Sequence, residues 1–566
     1  MPTSVASDWP LARLQRWALR GGLFILPLVH WWSTYDQYVL PKLLVARGLL
    51  IVLIGCFLAR ALLTGTLRVK RTPVDVPILI FLASTVLSSA FAINVNVALF
   101  GIYSRYDGLV TMFTYAGLFW LTVQSLDGPD DALSLLRTLL ASGYVVAALA
   151  IVQAIGDSID QGVVARAYGT LGQWNVLGGF LAMLWPLALR ELLEARSWTA
   201  RLIAANALGV LGIALLLTFS RSAWLGSLAA AVILIAASHG LRTRLGVSAL
   251  IAVLAAAALT VGVAGSAGFP LGRSVTARAM TLFSTGEWEP RLGIWRDTVP
   301  LIGGSPLVGY GPDTFGLVFP RFNTVYYVDP VDKAHAETLQ IAATQGLVGV
   351  VAGGLILAAF LLAFRKARRL PGAVAILAGL AAYDVALQLN FTALSSALPF
   401  WIFAAAALVS WNAVHATSYR LGHPRLVGAA SAVAAAALVA MAAWGVVIPY
   451  MADASLLSAV NADVGRRVGE ARAPAAQARL LTPQESVYAV ELGNIAYELG
   501  DWPAARSAYG DAIRLGTYNA VVFRNLAITD RNLGLQSEAR NAALGAYYLN
   551  RFDPANRALL AQFGGP

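Results

Sequence analysis

The length, composition and charge of the chain exclude a soluble globular protein. It has 566 residues, of which 58% are hydrophobic and 13% charged, and its mean hydropathy is +0.67. Soluble domains contain roughly 45–50% apolar and about 25% charged residues, so this composition indicates a polytopic membrane protein. The net charge is +11, but basic and acidic residues are equal in number after position 450, so the excess belongs to the apolar part. Such an excess governs membrane topology and does not indicate nucleic-acid binding.

Apolar stretches of about 20 residues, the length that crosses a bilayer, recur along the chain. We predict about 12–13 spans and therefore an all-α membrane bundle over residues 18–449. The stretches lie near residues 18–33, 41–63, 74–93, 108–126, 132–155, 172–190, 200–219, 221–238, 246–268, 336–364, 371–391, 396–414 and 426–449. No small-residue cleavage motif follows the basic segment 1–17, so we expect a cytoplasmic N-terminus and an uncleaved first span.

Basic residues gather in the connections that are cytoplasmic if the N-terminus is cytoplasmic. These residues are Arg60, Arg68, Lys70, Arg71, Arg190, Arg196, Arg201, Arg242, Arg244, Arg365, Lys366, Arg368, Arg369, Arg420 and Arg425. The acidic connection from Asp127 to Asp131 disagrees mildly, although acidic residues weigh little in this rule. The pattern predicts a multi-pass protein of the cytoplasmic (inner) membrane, with a large loop at about 269–335 and everything after 450 on the outer face.

The segment 450–566 is soluble in character and repeats. Leu492, Gly500 and Ala505 recur as Leu526, Gly534 and Ala539, each pair separated by 34 positions. This period resembles the tetratricopeptide repeat, a helical hairpin that stacks on its neighbours and leaves a concave surface. We therefore expect a helical-repeat domain whose default role is binding, for example of an envelope protein partner.

Arg221 stands in the short outer turn Phe219-Ser220-Arg221-Ser222 between two apolar stretches. A guanidinium at lipid depth usually has an anionic partner, and a phosphate would suit it. The alternative is an arginine that extends along the helix to reach the membrane surface. The residue is therefore a candidate for catalysis through an anionic substrate group.

His335 lies where the large outer loop runs back into apolar sequence. A titratable imidazole between water and lipid could accept a proton from a lipid-borne substrate, although a loop histidine is also commonly held by backbone groups. Leu339, Gly346 and Gly349 follow it as a helix start with small residues that allow close packing. Glu337 in the first turn either caps the helix or relays a proton with His335.

Four further arginines and one aspartate are candidates for substrate binding. They are Arg105, Arg166, Arg291, Arg296 and Asp384. The first two lie among aromatic residues of outer loops, which suits sugar stacking but also an interfacial aromatic belt. Arg291 and Arg296 precede the turn-rich segment 304–312. Each could reach an anion or a sugar, or it could simply be solvated at the surface. Asp384 lies within a span, where it lines an outer cavity or pairs with an arginine.

Neither a metal nor another cofactor is expected. Asp329 and Asp332 are the only close pair of outer carboxylates before the repeats, too few to hold a hard cation unaided. No glycine-rich loop of the nucleotide-binding type occurs, and Cys56 is the only cysteine.

Together these residues resemble the O-antigen ligase and polymerase superfamily of bacterial envelope glycosyltransferases, in the branch with C-terminal tetratricopeptide repeats. The resemblance covers about residues 20–449. It rests on Ser220-Arg221-Ser222, on Trp295 followed by Gly309-Tyr310-Gly311-Pro312, and on Ala334-His335 with Leu339, Gly346 and Gly349.

The resemblance implies a membrane bundle of the GT-C type that needs no metal or nucleotide. It would transfer a glycan from undecaprenyl diphosphate to a glycan, lipid or protein acceptor at the outer face, with inversion at the sugar. Arg221, helped by Arg105 or Arg291, would stabilise the leaving diphosphate, and His335 would orient or deprotonate the acceptor hydroxyl. Ligase, polysaccharide polymerase and protein O-oligosaccharyltransferase share this donor chemistry and stay open as alternatives.

Two other classes of protein compete with a transferase. A transporter also has many spans, but it should show internal symmetry and paired broken segments near the membrane midplane. An envelope scaffold would explain the repeats without explaining the arginines and the histidine of the outer loops.

Overall fold

The computed structural model describes residues 10–161, 164–237, 289–327, 330–422 and 424–565, with the isolated positions 246 and 248. Its regular structure is almost entirely helical, and six helices are long and apolar enough to cross a membrane. The predicted all-α polytopic membrane class is confirmed. The span expected at 246–268 lies almost wholly outside the described residues.

The helices before residue 411 form the bundle. They are α1 (Pro10–Ile25), α2 (Val39–Thr64), α3 (Asp75–Ala90), α4 (Val95–Phe100), α5 (Leu109–Ser125), α6 (Pro129–Gln161), α7 (Trp174–Glu194), α8 (Trp198–Leu217), α9 (Arg221–Ala237), α10 (Glu289–Gly304), α11 (Phe315–Val318), α12 (Glu337–Ala367), α13 (Ala373–Leu387) and α14 (Leu394–Ser410). α1 ends earlier than the predicted stretch 18–33, because Pro27 lacks the amide hydrogen that would continue the helix.

The core of the bundle lies around α7, α13 and α14. α7 and α13 run antiparallel, since Gly372 before α13 approaches Arg190 near the end of α7, while Gly179 approaches the ring of Tyr383. α9 packs on α13 closely enough that a Cβ added at Gly226 would lie 2.2 Å from the carbonyl oxygen of Ala382. Small residues thus allow these helices to pack at short range.

The two ends of the bundle differ. At one end, strands β1 (Thr66–Arg71) and β2 (His415–Arg420) pair antiparallel, with Thr66 opposite Arg420. We call this the sheet end. At the other end α5, α9 and α12 begin and α13 stops, and His335 lies there directly before α12. We call this the His335 end.

The predicted span 336–364 is broken. Within α12, Gly346 has a φ of +68°, so the helix stops and restarts there. The segment 306–311 fills the break, because Tyr310 N donates to Ala343 O at 3.1 Å and Leu347 N donates to Pro306 O at 2.8 Å. Backbone groups freed by the break are thus bonded by protein, as non-helical backbone at membrane depth requires. We call this arrangement the helix break.

The C-terminal part consists of paired helices. α15 (Pro424–Ala442) passes through a π-helical turn, Ala443–Val447, into α16 (Ile448–Val464). The helices that follow are α17 (Val468–Leu481), α18 (Ser486–Glu498), α19 (Trp502–Arg514), α20 (Ala520–Asn532), α21 (Gln536–Leu549) and α22 (Pro554–Ala561). Ala505 and Ala539, which are 34 residues apart, are both completely buried, each in the second helix of a pair. Assignment of the pairs to a particular repeat family stays a prediction.

Candidate functional site

His335 is held in a strained backbone conformation at the start of α12. Its φ is +52°, a region that costs a residue with a side chain roughly 1–2 kcal/mol. Gln340 accepts a hydrogen bond from Ala334 N at 2.8 Å, which fixes the residue before it. The imidazole meets the ring of Phe391 edge-on, with centroids 5.2 Å apart. Strain of this kind clusters at functional sites, where the surrounding structure maintains it.

The surroundings of His335 keep its imidazole neutral. Its pKa is lowered to about 4, mainly by burial and further by the positive charges of Arg291 and Arg105, while Asp332 opposes them. Within the described residues Nδ1 has no hydrogen-bond partner. A neutral imidazole has one ring nitrogen that accepts a hydrogen bond, so this side chain is suited to receive a hydroxyl proton.

Arg105 joins the loop between α4 and α5 to this site. Its Nε donates to Asp332 at 2.7 Å, and its guanidinium lies over the ring of Phe391, 5.0 Å from the centroid. Phe391 therefore contacts both Arg105 and His335. The pKa of Arg105 is raised, because Asp332 outweighs the opposing effect of burial, so the positive charge beside the imidazole persists.

Sequence reasoning missed a buried cluster immediately before His335. Lys333 donates to Asp107 at 2.8 Å and to Asp313 at 2.7 Å, and all three side chains are buried. Burial would lower the pKa of Lys333, but the two carboxylates outweigh it and raise that pKa. The cluster ties three separate segments together beneath the histidine. Its only signal in the sequence was a lysine two positions before a candidate histidine.

Arg221 is the first residue of α9 and is buried. Beside it, Ser220 donates to Asn175 Oδ1 at 2.8 Å. A Cβ at Gly178 would lie 2.7 Å from Ala223, so the starts of α7 and α9 lie together. Because α7 runs antiparallel to α13, these starts lie at the end where α13 stops. The structure thus places Arg221 at the His335 end.

Arg166 lies in the same region as Arg221. Its guanidinium is 4.8 Å from the ring centroid of Trp174, a cation–π contact. The next residue, Ala167, donates its amide hydrogen to Leu217 O at 2.9 Å, four positions before Arg221. The predicted loop around Arg166 therefore borders the turn that carries Arg221.

The two candidate arginines of α10 have different surroundings. Arg291 acts electrostatically on His335, so it belongs to the site. Arg296 is exposed and bonds to Asp297 at 2.9 Å and to Thr324. No contact among the described residues joins Arg296 to His335. These bonds fix the loop that carries Thr324, and the role of Arg296 in substrate binding stays a prediction.

Glu337 is the first residue of α12, and Asp384 lies near the end of α13. Glu337 accepts a hydrogen bond from Thr392 N at 2.9 Å, which links the start of α12 to the segment after α13. Asp384 is exposed and forms no salt bridge within the described residues, so pairing with an arginine is not seen there, and a place in an outer cavity stays a prediction. Of the predicted carboxylate pair, Asp332 pairs with Arg105 and Asp329 lies outside the described residues.

The described residues contain no group of three or more metal-ligating side chains. What the site does contain is a neutral imidazole, a persistent guanidinium beside it, a second arginine within electrostatic range and a buried arginine at the same end of the bundle. Such a set can bind an anionic leaving group and accept a proton.

Residues 206–353 match the family model described as O-antigen ligase. The matched range includes Arg221, Arg291, the helix break and His335. No curated protein matches the chain. Over this range the chain is similar to the O-antigen ligase family, and its apolar helices agree with a membrane protein.

Proposed function

We propose that the protein is a glycosyltransferase that moves a glycan from an undecaprenyl-diphosphate-linked donor to an acceptor at the outer face of the cytoplasmic membrane. The proposal rests on one observation. The neutral imidazole of His335 lies beside the charged Arg105, and the positive charge of Arg291 also lowers its pKa. The family match over residues 206–353 supports the reaction class. Donor identity and inversion at the sugar follow from the resemblance described above.

In the proposed reaction, the acceptor hydroxyl oxygen attacks the anomeric carbon of the donor glycan. The bond from that carbon to the lipid diphosphate breaks, and the bonding electrons leave with the diphosphate. His335 receives the hydroxyl proton or orients the hydroxyl, and Arg221 with Arg105 or Arg291 stabilises the negative charge on the leaving group. No metal takes part in this scheme.

The field at His335 supports a coupling between donor binding and proton transfer. Arg291 and Arg105 both lower the pKa of the imidazole. A bound diphosphate offsets those positive charges, so the pKa rises toward its ordinary value of about 6.5. The imidazole thus becomes a stronger base when the donor is in place.

We further propose that the sheet end faces the cytoplasm, with residues 18–449 as the membrane domain and residues 450–566 as outer tetratricopeptide-like repeats. The basic residues Arg68, Lys70, Arg71 and Arg420 in the two strands support this orientation. The paired helices and the buried Ala505 and Ala539 support the assignment of the repeats.

The assignment of roles is tested by transfer from a lipid-linked glycan with purified protein. His335→Ala and Arg221→Ala should each lower turnover by a factor of roughly 10² or more, because each removes a group that acts on the reacting atoms. Arg221→Lys keeps the charge without the planar fork and should retain part of the activity. The product is identified by mass.

Matched controls lie at the sheet end. His415→Ala in β2 and Arg137→Ala on α6 alter exposed residues and should keep wild-type turnover. Elution from a sizing column and thermal unfolding in detergent show that each variant is folded. Full activity in folded His335→Ala and Arg221→Ala would overturn the roles assigned to them.

The acceptor separates the three family activities. A ligase joins the glycan to a lipid core, a polymerase joins it to another lipid-linked glycan, and a protein O-oligosaccharyltransferase joins it to a serine or threonine. Incubation of one donor with all three acceptors, followed by mass spectrometry of the products, distinguishes the three activities. We favour the ligase, since the matched family is described by that activity.

A further inference from the structure

A cleft lies between the C-terminal helices and the outer loops of the bundle, with a volume of about 610 Å³. We call it the repeat cleft. Two outer loops form one wall, with Ile102, Tyr103, Gly316, Phe319, Pro320, Asn323, Tyr327, Pro330 and Val331. The C-terminal helices and their turns form the other, with Ser486, Val487, Val490, Gly516, Thr517, Tyr518, Asn519, Ala520, Val521, Arg524, Leu549, Asn550 and Asp553.

The repeat cleft is held open by contacts at both of its ends. At one end Asn96 Nδ2 donates to Gln484 O at 2.9 Å and to Leu515 O at 3.1 Å. At the other end Arg551 donates to Asn323 O. The walls are thus tied to each other on either side of the cavity, which makes it a preformed site. Its volume lies in the range of small-molecule sites, roughly 300–1,000 Å³.

The walls of the repeat cleft combine aromatic rings with uncharged polar groups. Rings come from both walls, among them Tyr327 and Tyr518, and amides from Asn519 and Asn550. Rings pack on the flat faces of sugars, while amides and hydroxyls bond sugar hydroxyls. The cleft therefore offers polar atoms that a ligand can bond.

The charges of the repeat cleft cancel. Arg524 Nη1 donates to Asp553 at 2.7 Å and to Asn556 at 3.0 Å, so its positive charge is paired with a carboxylate. A phosphate or a peptide carboxylate would need a cation that is not already paired. This neutrality favours an uncharged ligand.

The repeat cleft adjoins the proposed transfer site. A Cβ added at Gly316 would lie 3.2 Å from the ring of Tyr518 in the cleft and 3.3 Å from Cα of Asp332. Asp332 in turn bonds to Arg105, which lies over Phe391 beside His335. The wall between the two sites is therefore only about one residue thick.

We propose that the repeat cleft binds an uncharged stretch of the sugar chain of the donor or the acceptor, away from the reacting sugar. The proposal rests on the proposed function for the source of its ligand, while binding itself needs no transfer. Contacts to a remote part of the substrate hold the reacting end beside His335 and so lower the KM of the partner whose chain is bound.

Binding is measured with the full-length protein in detergent. The probe is the pool of oligosaccharides released by mild acid from the lipid-linked glycans of the source cells, labelled at the reducing end and separated by length. Val521 is 44% exposed in the cleft wall, so Val521→Trp fills the cavity without disturbing the core. It should weaken binding by about tenfold or more, since a large side chain excludes the ligand sterically.

A second variant tests the chemistry of the wall. Asn550→Ala removes a side-chain amide that lines the cleft and that bonds to no other group among the described residues, so the fold should keep its melting temperature. Binding should weaken by roughly threefold to tenfold, the effect of one hydrogen bond between uncharged groups. The controls are Val464→Trp and Tyr548→Phe, at residues that are 77% and 65% exposed outside the cleft.

The outcomes distinguish this proposal from the proposed function. A rise in the KM of the acceptor assigns the sugar chain to the acceptor, and a rise in the KM of the donor assigns it to the donor. Weaker binding in Val521→Trp supports the cleft even if the wild-type protein transfers no glycan. Unchanged binding and unchanged KM values in both cleft variants overturn it, as does a peptide that binds in the cleft where no oligosaccharide binds.

Discussion

At the scale of single residues, the position of His335 poses a problem in electrostatics. A proton acceptor normally gains from a neighbouring carboxylate, yet this imidazole lies near Arg291 and Arg105, with only Asp332 to oppose them. Each positive charge makes protonation harder. The same arginines are needed for an anionic leaving group, so we expect the positive field at His335 to weaken when the donor binds.

The pH profile should report this field. In the protein without bound donor, the pKa of His335 is about 4, below the ordinary value of about 6.5. The neutral imidazole therefore persists as the pH falls and is lost only near pH 4. We expect kcat/KM for the donor to show no loss from this group between pH 7 and pH 5. In Arg291→Gln one cation is removed, the pKa rises, and the acid limb should move to higher pH.

Arg296→Gln is the matched control, since Arg296 lies on the same helix, is exposed and bonds to Asp297. Its acid limb should coincide with that of the wild-type protein even if its overall rate differs. An acid limb near pH 6.5 in the wild type, unmoved by Arg291→Gln, would show that His335 does not set the profile.

The sequence predicted that the candidate arginines and His335 lie at one end of the bundle, but it did not predict the buried cluster around Lys333. Topology alone brought Arg221, Arg105, Arg291 and His335 to one end, because the order of spans alternates between the two membrane faces. The Lys333 cluster draws one residue from each of three segments that are distant in sequence. Such a cluster has no spacing pattern that a single sequence could display.

At the scale of elements, the helix break depends on two glycines. Gly346 has a φ of +68°, and a Cβ there would lie 2.2 Å from Leu307 O. Gly309 in the opposing segment also has a positive φ, and its Cβ would lie 2.3 Å from the backbone of Thr344. Both contacts are with backbone, which cannot rotate away as a side chain can.

Alanine at position 346 should therefore destabilise the protein. Left-handed φ costs an alanine roughly 1–2 kcal/mol, and the clash with backbone adds to it, so Gly346→Ala should lower the free energy of unfolding by about 2 kcal/mol or more. Gly353→Ala on the same helix is the control, because a Cβ there meets nothing within 4 Å. Thermal unfolding in one detergent compares them, and equal melting temperatures would refute the steric account.

The break was not predicted, although both of its parts were visible. Hydropathy predicts one continuous span at 336–364, because a hydropathy scale contains no information on backbone conformation. The segment 304–312 was identified as a structured turn from its glycines and prolines. That the turn bonds to the break is a tertiary relation, and Gly346 was interpreted only as a small residue for close packing.

At the scale of the whole molecule, one buried carboxylate is among the contacts that attach the C-terminal helices to the bundle. Asp453 on α16 accepts hydrogen bonds from Asp36 N at 2.9 Å, from the Tyr103 hydroxyl and from the Tyr488 hydroxyl at 3.3 Å. One carboxylate thus joins the loops that carry Asp36 and Tyr103 to α18. Its side chain is buried, so each of these bonds is shielded from water.

Removal of this carboxylate should loosen the attachment. Asp453→Ala leaves two tyrosine hydroxyls and an amide without their acceptor, at a cost of about 1–3 kcal/mol. We expect faster hydrogen exchange in residues 30–38 and 100–106, with α20 to α22 unchanged. Glu470→Ala, at a surface ion pair with Arg467, is the control and should exchange as the wild type does. Unaltered exchange in Asp453→Ala would contradict the role of this contact.

Charge predicted the orientation of the bundle, and one apparent exception has a structural explanation. The acidic connection at Asp127 and Asp131 opposed the pattern of basic connections. In the structure Asp127 pairs with Arg16, and Asp131 pairs with Arg20. These carboxylates thus neutralise basic residues of α1 at the sheet end, a partnership that a charge count along the chain does not reveal.

The helix break also divides α12 into two parts with different surroundings. The part of α12 before Gly346 is bonded to protein on several sides, through Gln388 to Thr338 and through Ser88 to Thr344. The part after it is largely exposed on the bundle surface, where lipid would lie. A spanning helix tilts to match the thickness of its bilayer. Because the break interrupts the helix, we expect the part after Gly346 to tilt with the bilayer while the part that carries His335 keeps its place.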